Sequence, residues 1–259
     1  MKQIVSENII SENHKNLERL INEPLRQLNK ADNDYDRKVL EICHAAKFLM
    51  LLNSGYEISI VREKPDFIIK SDKEKQIGLE HEILIDQLHK KSEGSFSDLV
   101  KIIEDRFRIR HPNENILVNI FVNSAYKFKQ KDKSKLVERL LLMIENYVYH
   151  DIFEENDLIH FLSCSKHSGL SFNSNSGAWW QDYLRDELVI NSIEKKEKKR
   201  LDYISNTGLK EQWLLIVIGS LGQSSYEVNS GIEYNFKTIS GFDKIYLMED
   251  FKAKLYELK

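Results

Sequence analysis

An α/β fold, with a mixed central β-sheet flanked by helices, is what the 259 residues predict, and three observations carry that expectation. Segments with apolar residues at helical spacing alternate along the chain with short runs of β-branched and aromatic residues. The run Ile116-Leu117-Val118-Asn119-Ile120-Phe121-Val122 and the stretch Trp213 to Ile218 are almost continuously apolar, as strands covered on both faces must be. Only 3 prolines and 10 glycines interrupt the chain, which leaves little room for long flexible linkers. The length allows one large core or two modest ones. The expected organisation is an N-terminal helical segment, 1–34, and one α/β domain, 35–259, with a helical insertion around 130–205.

The elements follow in order. From Ser11 to Leu28, Leu17, Leu20, Ile21, Leu25 and Leu28 recur at helical spacing, interrupted by Pro24. After a polar break at Asp32 to Asp36, the stretch Tyr35 to Asn53 reads as a buried core helix, apolar through Ile42, Ala45, Ala46, Phe48 and Leu49. Asn53-Ser54-Gly55 gives it a left-handed stop. Tyr56 to Arg62 is a first strand, Phe67-Ile68-Ile69 a second, and Gln76 to Leu84 a third after the turn-like Ser71 to Lys75. Ser97-Asp98 is a candidate cap for a helix ending near Arg110, with Pro112 beyond it. Past the strand at Asn115 to Asn123, Asp132 to Tyr149 reads as a helix and Leu158 to Cys164 as a strand. Lys166 to Ala178 is a Ser/Asn/Gly-rich loop leading to Trp179-Trp180, and Gln181 to Ser205 is a long charged helix. The strand Trp213 to Ile218, a last strand at Phe242 to Met248 and a short helical tail, Glu249 to Lys259, complete the chain.

Hydrophobic content of 41% and charged content of 31% describe a soluble globular protein, and a net charge of −3 does not advertise a nucleic-acid binder. Local charge must carry any such case. Cys43 and Cys164 are too few for a disulfide framework and are expected as buried free thiols. The first residues lack the apolar stretch of a signal peptide, and no run approaches the roughly 20 apolar residues of a membrane helix. A cytoplasmic location without membrane contact is therefore the expectation, with homodimerisation left open.

The chemistry-bearing feature is Pro65-Asp66, followed by Glu80-His81-Glu82. The third strand alternates, with Ile77, Leu79, His81, Ile83 and Ile85 on one face and Gly78, Glu80 and Glu82 on the other, so Glu80 and Glu82 project side by side. With Asp66 at the mouth of the preceding strand, three carboxylates can share one site, and oxygen ligands favour Mg²⁺ or Mn²⁺ over zinc. The order of helix, strand, Pro-Asp, turn and a strand with Glu-x-Glu resembles the PD-(D/E)XK nuclease superfamily over roughly Val39 to Asn123, which implies a restriction-endonuclease-like core. Asp66 matches the first acid of that motif, Glu80 the second, and Glu82 stands where Lys is usual. Other members of that family carry Glu or Gln there or take the lysine from a neighbouring helix.

The resemblance implies a metal-dependent nuclease, acting on DNA more than RNA, with Asp66 and Glu80 as metal ligands and Glu82 as a ligand or water-positioning base. The backbone carbonyl of His81 completes the shell, and Glu41, on the buried helix, is an additional acid. The missing lysine has candidate sources in Lys196 and Lys199, which share a helical face with Ile193 and Tyr203, whereas Lys195 and Lys198 point elsewhere. The rival reading is a catalytically inactive nucleic-acid-binding or protein-interaction module of the same fold. A third uses the spacing of Arg106 and His111, which fits metal-independent HEPN ribonucleases. Basic clusters at Lys127, Lys129, Lys131, Lys133 and Lys135 and at Arg106, Arg108 and Arg110 can follow a phosphate backbone, and Trp179 and Trp180 can stack on bases.

Overall fold

A computed structural model describes residues 1–3, 14–123, 126–175, 181–220, 222–236 and 239–259. The expected helix start at Ser11 and the pair Trp179-Trp180 lie outside the described residues. In chain order the elements are β1 (Lys2–Gln3), α1 (His14–Leu25), α2 (Tyr35–Leu52), β2 (Tyr56–Val61), β3 (Phe67–Ser71), β4 (Gln76–Ile83), α3 (Gln87–Arg110), β5 (Ile116–Val122), α4 (Lys133–His150), β6 (Ile159–Lys166), β7 (Ser171–Asn175), β8 (Asp182–Tyr183), α5 (Asp186–Thr207), β9 (Gln212–Ile218), β10 (Tyr226–Glu227), β11 (Lys244–Glu249) and β12 (Lys254–Glu257). The fold is mixed α/β, with five α-helices among the described residues.

The chain divides into two units. The first comprises 1–84, 183–220 and 226–259, and the second 85–182 and 221–225. The inserted unit thus begins near 85 instead of 130, releases the long helix α5 to the first unit, and contains a sheet of its own. The N-terminal helix α1 is not a separate segment, because Leu17, Leu20, Ile21 and Leu25 pack into the core of the first unit.

That first unit is built on a seven-stranded sheet in the order β1-β12-β11-β9-β4-β3-β2. Strands β2, β3 and β4 form an antiparallel meander, and β9 and then β11 add in parallel. Two apolar layers enclose it. On one face Ile77, Leu79, Trp213, Leu215 and Val217 meet Ile42, Ala45, Phe48 and Leu49 of α2. On the other, Leu214, Ile216 and Ile218 meet Val189, Ile193 and Tyr203 of α5. Burial on both faces is why β9 reads as an unbroken apolar run, each such side chain contributing about 1.5–3 kcal/mol. Helix α2 ends as its sequence predicts, with Asn53 at φ 47° and its N–H donating to the Leu49 and Met50 carbonyls.

The second unit sets α3 and α4 against one face of a three-stranded sheet, order β6-β5-β7. Val118, Ile120, Val122, Leu162 and Phe172 supply the sheet side of that core. Four expectations need correction. Helix α3 starts at Gln87 and not at Ser97-Asp98, because the Asp86 carboxylate caps it by accepting from the N–H groups of Leu88 and His89, each at 2.8 Å. Within the expected 166–178 loop, Ser171–Asn175 is strand β7, held by its parallel pairing with β5. The C-terminal tail is strand β12 rather than a helix, since Leu255 and Tyr256 bury opposite faces of a hairpin with β11. Nor are the thiols buried: Cys43 is half-buried and Cys164 exposed.

Candidate functional site: an acidic strand met by a lysine helix

The site is built on β4 in the first unit. Phe67 pairs with Leu79, and both face α2. By alternation Asp66, one residue before β3, shares the opposite face with Glu80 and Glu82. The Lys64–Pro65 peptide that leads into Asp66 is cis, and the Arg62 N–H donates to the Asp66 carbonyl at 2.9 Å. Asp66 Oδ2 accepts from the His81 N–H at 2.9 Å, which fixes the carboxylate against the edge of β4.

Helix α5 crosses this face. Lys196, buried, places its ammonium 2.6 Å from Glu80 Oε1, 3.0 Å from Glu82 Oε2 and 2.9 Å from the His81 carbonyl. Tyr203, two helical turns on, donates its hydroxyl to the same Glu80 Oε1 at 2.8 Å. Of the two lysines expected here, the structure brings in Lys196 and leaves Lys199 exposed. At about 100° per residue, Lys199 lies roughly 60° from Lys196 around the helix, while Tyr203 lies within roughly 20°. Lys195 corrects the expectation that it points elsewhere, because its flexible arm reaches Glu82 Oε1 at 2.6 Å at the solvent rim. The carbonyl of His81, expected as a ligand, is thus engaged by Lys196.

Electrostatics divide the acids. Burial and the neighbouring Glu80 charge push the Asp66 carboxyl up to about 7, against the His81 N–H and Lys196, which pull it down. For Glu82 burial again opposes charge, but the hydrogen bond from Lys195 and the Lys196 ammonium outweigh it and hold the carboxyl below its usual range. Burial disfavours the Lys196 ammonium as well, yet Glu80 and Glu82 more than compensate and raise its pKa. Burial and Glu80 push the Tyr203 phenol up, so it acts only as a donor.

Glu41, on α2, is buried and bonded to Arg37 at 2.7 Å and paired with Lys38 at 3.2 Å. Its charge reaches Asp66 only as a weak repulsion. Lys38, which the sequence does not single out, is buried and stands 3.8 Å from Asp66 Oδ1. The His81 ring faces away from the acids, its Nε2 3.0 Å from Nδ1 of His44. Burial, and then His44, hold its pKa well below normal, so it is a neutral packed histidine. Among the described residues no group of three or more His, Cys, Asp or Glu closes around a metal position. The expected set of Asp66, Glu80 and Glu82 is therefore not assembled as one cage, for the physical reason that Glu82 is turned to the two lysines. Of the acids here, Glu80 Oε2 and Glu41 Oε2 are buried without a hydrogen-bond partner, the latter 3.2 Å from the Lys38 ammonium.

In the second unit, Arg106 pairs with Glu138, and His111 Nε2 lies 3.0 Å from Glu145. Arg110 joins the same two acids at 3.2 Å. These groups tie the end of α3 to α4. Lys127, Lys129, Lys131 and Lys135 are exposed and Lys133 is half-buried. No helix among the described residues is long and apolar enough to cross a membrane. Compared with known proteins, the chain matches no family model, no curated protein and no solved structure.

Proposed function

We propose that this chain is a Mg²⁺- or Mn²⁺-dependent nuclease that hydrolyses phosphodiester bonds, in DNA more than RNA, with a restriction-endonuclease-like core in its first unit. One observation carries the reading: a buried lysine from another element, Lys196, stands on Glu80 and the His81 carbonyl in the strand where the motif lysine is replaced by Glu82. A buried ammonium and a buried carboxylate are costly to desolvate, and replacing such a pair with apolar side chains is often neutral or stabilising, so stability alone is a weak reason for it.

The donor set suits a hard cation. Asp66 and Glu80 offer carboxylate oxygens, Glu80 Oε2 lacks a hydrogen-bond partner, and a divalent charge would offset the burial and the Glu80 repulsion that push Asp66 up. When bound, such a cation would lower the pKa of an attacking water and stabilise charge on the leaving oxygen. The chain's own residues do the rest. Tyr203 fixes the orientation of Glu80, and Lys196 supplies a positive charge for a phosphate oxygen. Glu82, whose carboxyl Lys195 and Lys196 hold below its usual range, steers Lys196 toward the site.

The second reading, a binding module without catalysis, draws on the same contacts, since Lys195 and Lys196 already neutralise Glu82 and Glu80. Calorimetric titration with Mn²⁺ and cleavage of plasmid, single-stranded DNA and RNA separate the two. The nuclease reading requires cleavage that is lost in Asp66→Ala, in Glu80→Ala and in EDTA, with Mn²⁺ binding lost in both variants. Absence of both Mn²⁺ binding and cleavage selects the module. Cleavage that survives EDTA and disappears in His111→Ala selects the metal-independent ribonuclease.

A further inference from the structure

The three-stranded sheet of the second unit has one covered face and one open face. Val118, Ile120, Leu162 and Phe172 point to α3 and α4. The alternate positions stand outside that core. Across β5 and β6, Phe121 pairs with Phe161, their rings 5.4 Å apart and tilted at 48°, and Phe161 is 52% exposed. Beside them Asn119 donates to the Ser163 hydroxyl at 3.3 Å and accepts from Asn173 at 3.5 Å, a ladder of amides and a hydroxyl across all three strands. An aromatic pair with Phe161 exposed and Phe121 half-buried, in line with side chains that both donate and accept, matches a base, which has an apolar face and a polar edge.

Charge favours the same occupant. In a chain with 41 acidic residues, β5, β6 and β7 contain none. The chain leaves β5 at the Phe121 end and runs into 126–135, where five lysines accompany one acid. There Tyr126 and Phe128 pack inward on the unit's core, and Lys127 and Lys129 alternate outward into solvent.

We propose that the open face of the β6-β5-β7 sheet binds single-stranded nucleic acid, stacking bases on Phe121 and Phe161, reading their edges with Asn119 and Asn173, and holding the backbone with the lysines of 127–131. A duplex keeps its bases stacked on one another and cannot use the aromatic pair. This site is independent of the acidic strand and does not require that the chain cleave anything.

The test is fluorescence anisotropy of labelled oligo-dT and oligo-U of about 12 nucleotides with the full chain in EDTA, so that the outcome is separate from the cleavage reading. Phe161→Ala should weaken binding about tenfold, and Phe161→Trp should restore it. Lys127→Gln with Lys129→Gln should weaken binding and reduce the slope of log affinity on log salt by about 0.7 per lysine. The oligo-dT and oligo-U arms tell a DNA strand from an RNA strand, and a duplex of the same length should compete poorly. Sedimentation of the same proteins reports their folding and self-association. Failure of the parent chain to bind either oligomer overturns the proposal, as does unchanged affinity in folded Phe161→Ala. Loss of self-association in Phe161→Ala without loss of oligomer binding also overturns it, and assigns the face to a second copy of the chain.

Discussion

Replacing Asp66 by Asn is expected to stabilise the folded protein above neutral pH and to do little below pH 4. In the fold, burial and the Glu80 charge push the Asp66 carboxyl from an ordinary 3.8 up to about 7. Between those values the folded chain holds a proton that the unfolded chain has released, so wild-type stability falls as pH rises through this window. At about 1.4 kcal/mol per pH unit, an interval of about 3 corresponds to roughly 4 kcal/mol, fully expressed above pH 7. Asparagine has the same shape and an oxygen to accept the His81 N–H, now held at 2.9 Å, so the expected gain at pH 8 is about 2–4 kcal/mol. The assay is urea unfolding of both proteins from pH 4 to pH 8, plotted as the difference in unfolding free energy, which cancels titrations common to both. A difference that does not grow with pH, or a loss of stability at every pH, refutes the electrostatic account of this site. Mn²⁺ at pH 8 should stabilise the wild type and have no effect on the Asp66→Asn protein.

Lys196→Met should cost about 3 kcal/mol, because Glu80 then stays buried without its cation, whereas exposed Lys199→Met should fall within about 0.5 kcal/mol. Glu80→Gln should recover most of the first loss in a double-mutant cycle, and equal effects of the two lysines would refute the assignment. Burial, then His44, depress the His81 imidazole, so the unfolded chain takes up a proton below about pH 6.5 that the folded chain refuses, and stability is lost as pH falls through that value. His81→Gln should therefore flatten the stability profile between pH 6.5 and pH 5, and an unchanged slope counts against a neutral buried ring. Asp86→Ala should cost about 1 kcal/mol of stability by removing the α3 cap, measured by thermal unfolding.

The alternation of Gln76 to Ile83 was enough to place Glu80 and Glu82 on one face and His81 on the other, because a strand's side-chain period is fixed by its backbone. The spacing of Ile193, Lys196 and Tyr203 likewise determined which face of α5 is inward, and Asn53 marked the end of α2. These are local properties, decided within one or two turns or strands. The pairing of β7 was not local, and that of β12 only partly so. Ser171–Asn175 and Lys254–Glu257 are short, and their identity as strands comes from a partner 54 residues away for β7, in β5, and for β12 from the hairpin with β11 together with β1 at the other end of the sequence.

The partnership of Lys196 with Glu80 spans 116 residues, and which of two candidate lysines makes it depends on how α5 lies across the sheet. The same holds for Lys195, expected to point elsewhere, whose four-carbon arm reaches Glu82 at the rim from off the inward face of the helix. By itself, then, the sequence determined which residues carry acid, base and aromatic chemistry and which face of each element they occupy. The tertiary structure alone decided which of them meet, because a charge's partner and its pKa depend on burial and on distances across the fold that no local pattern encodes.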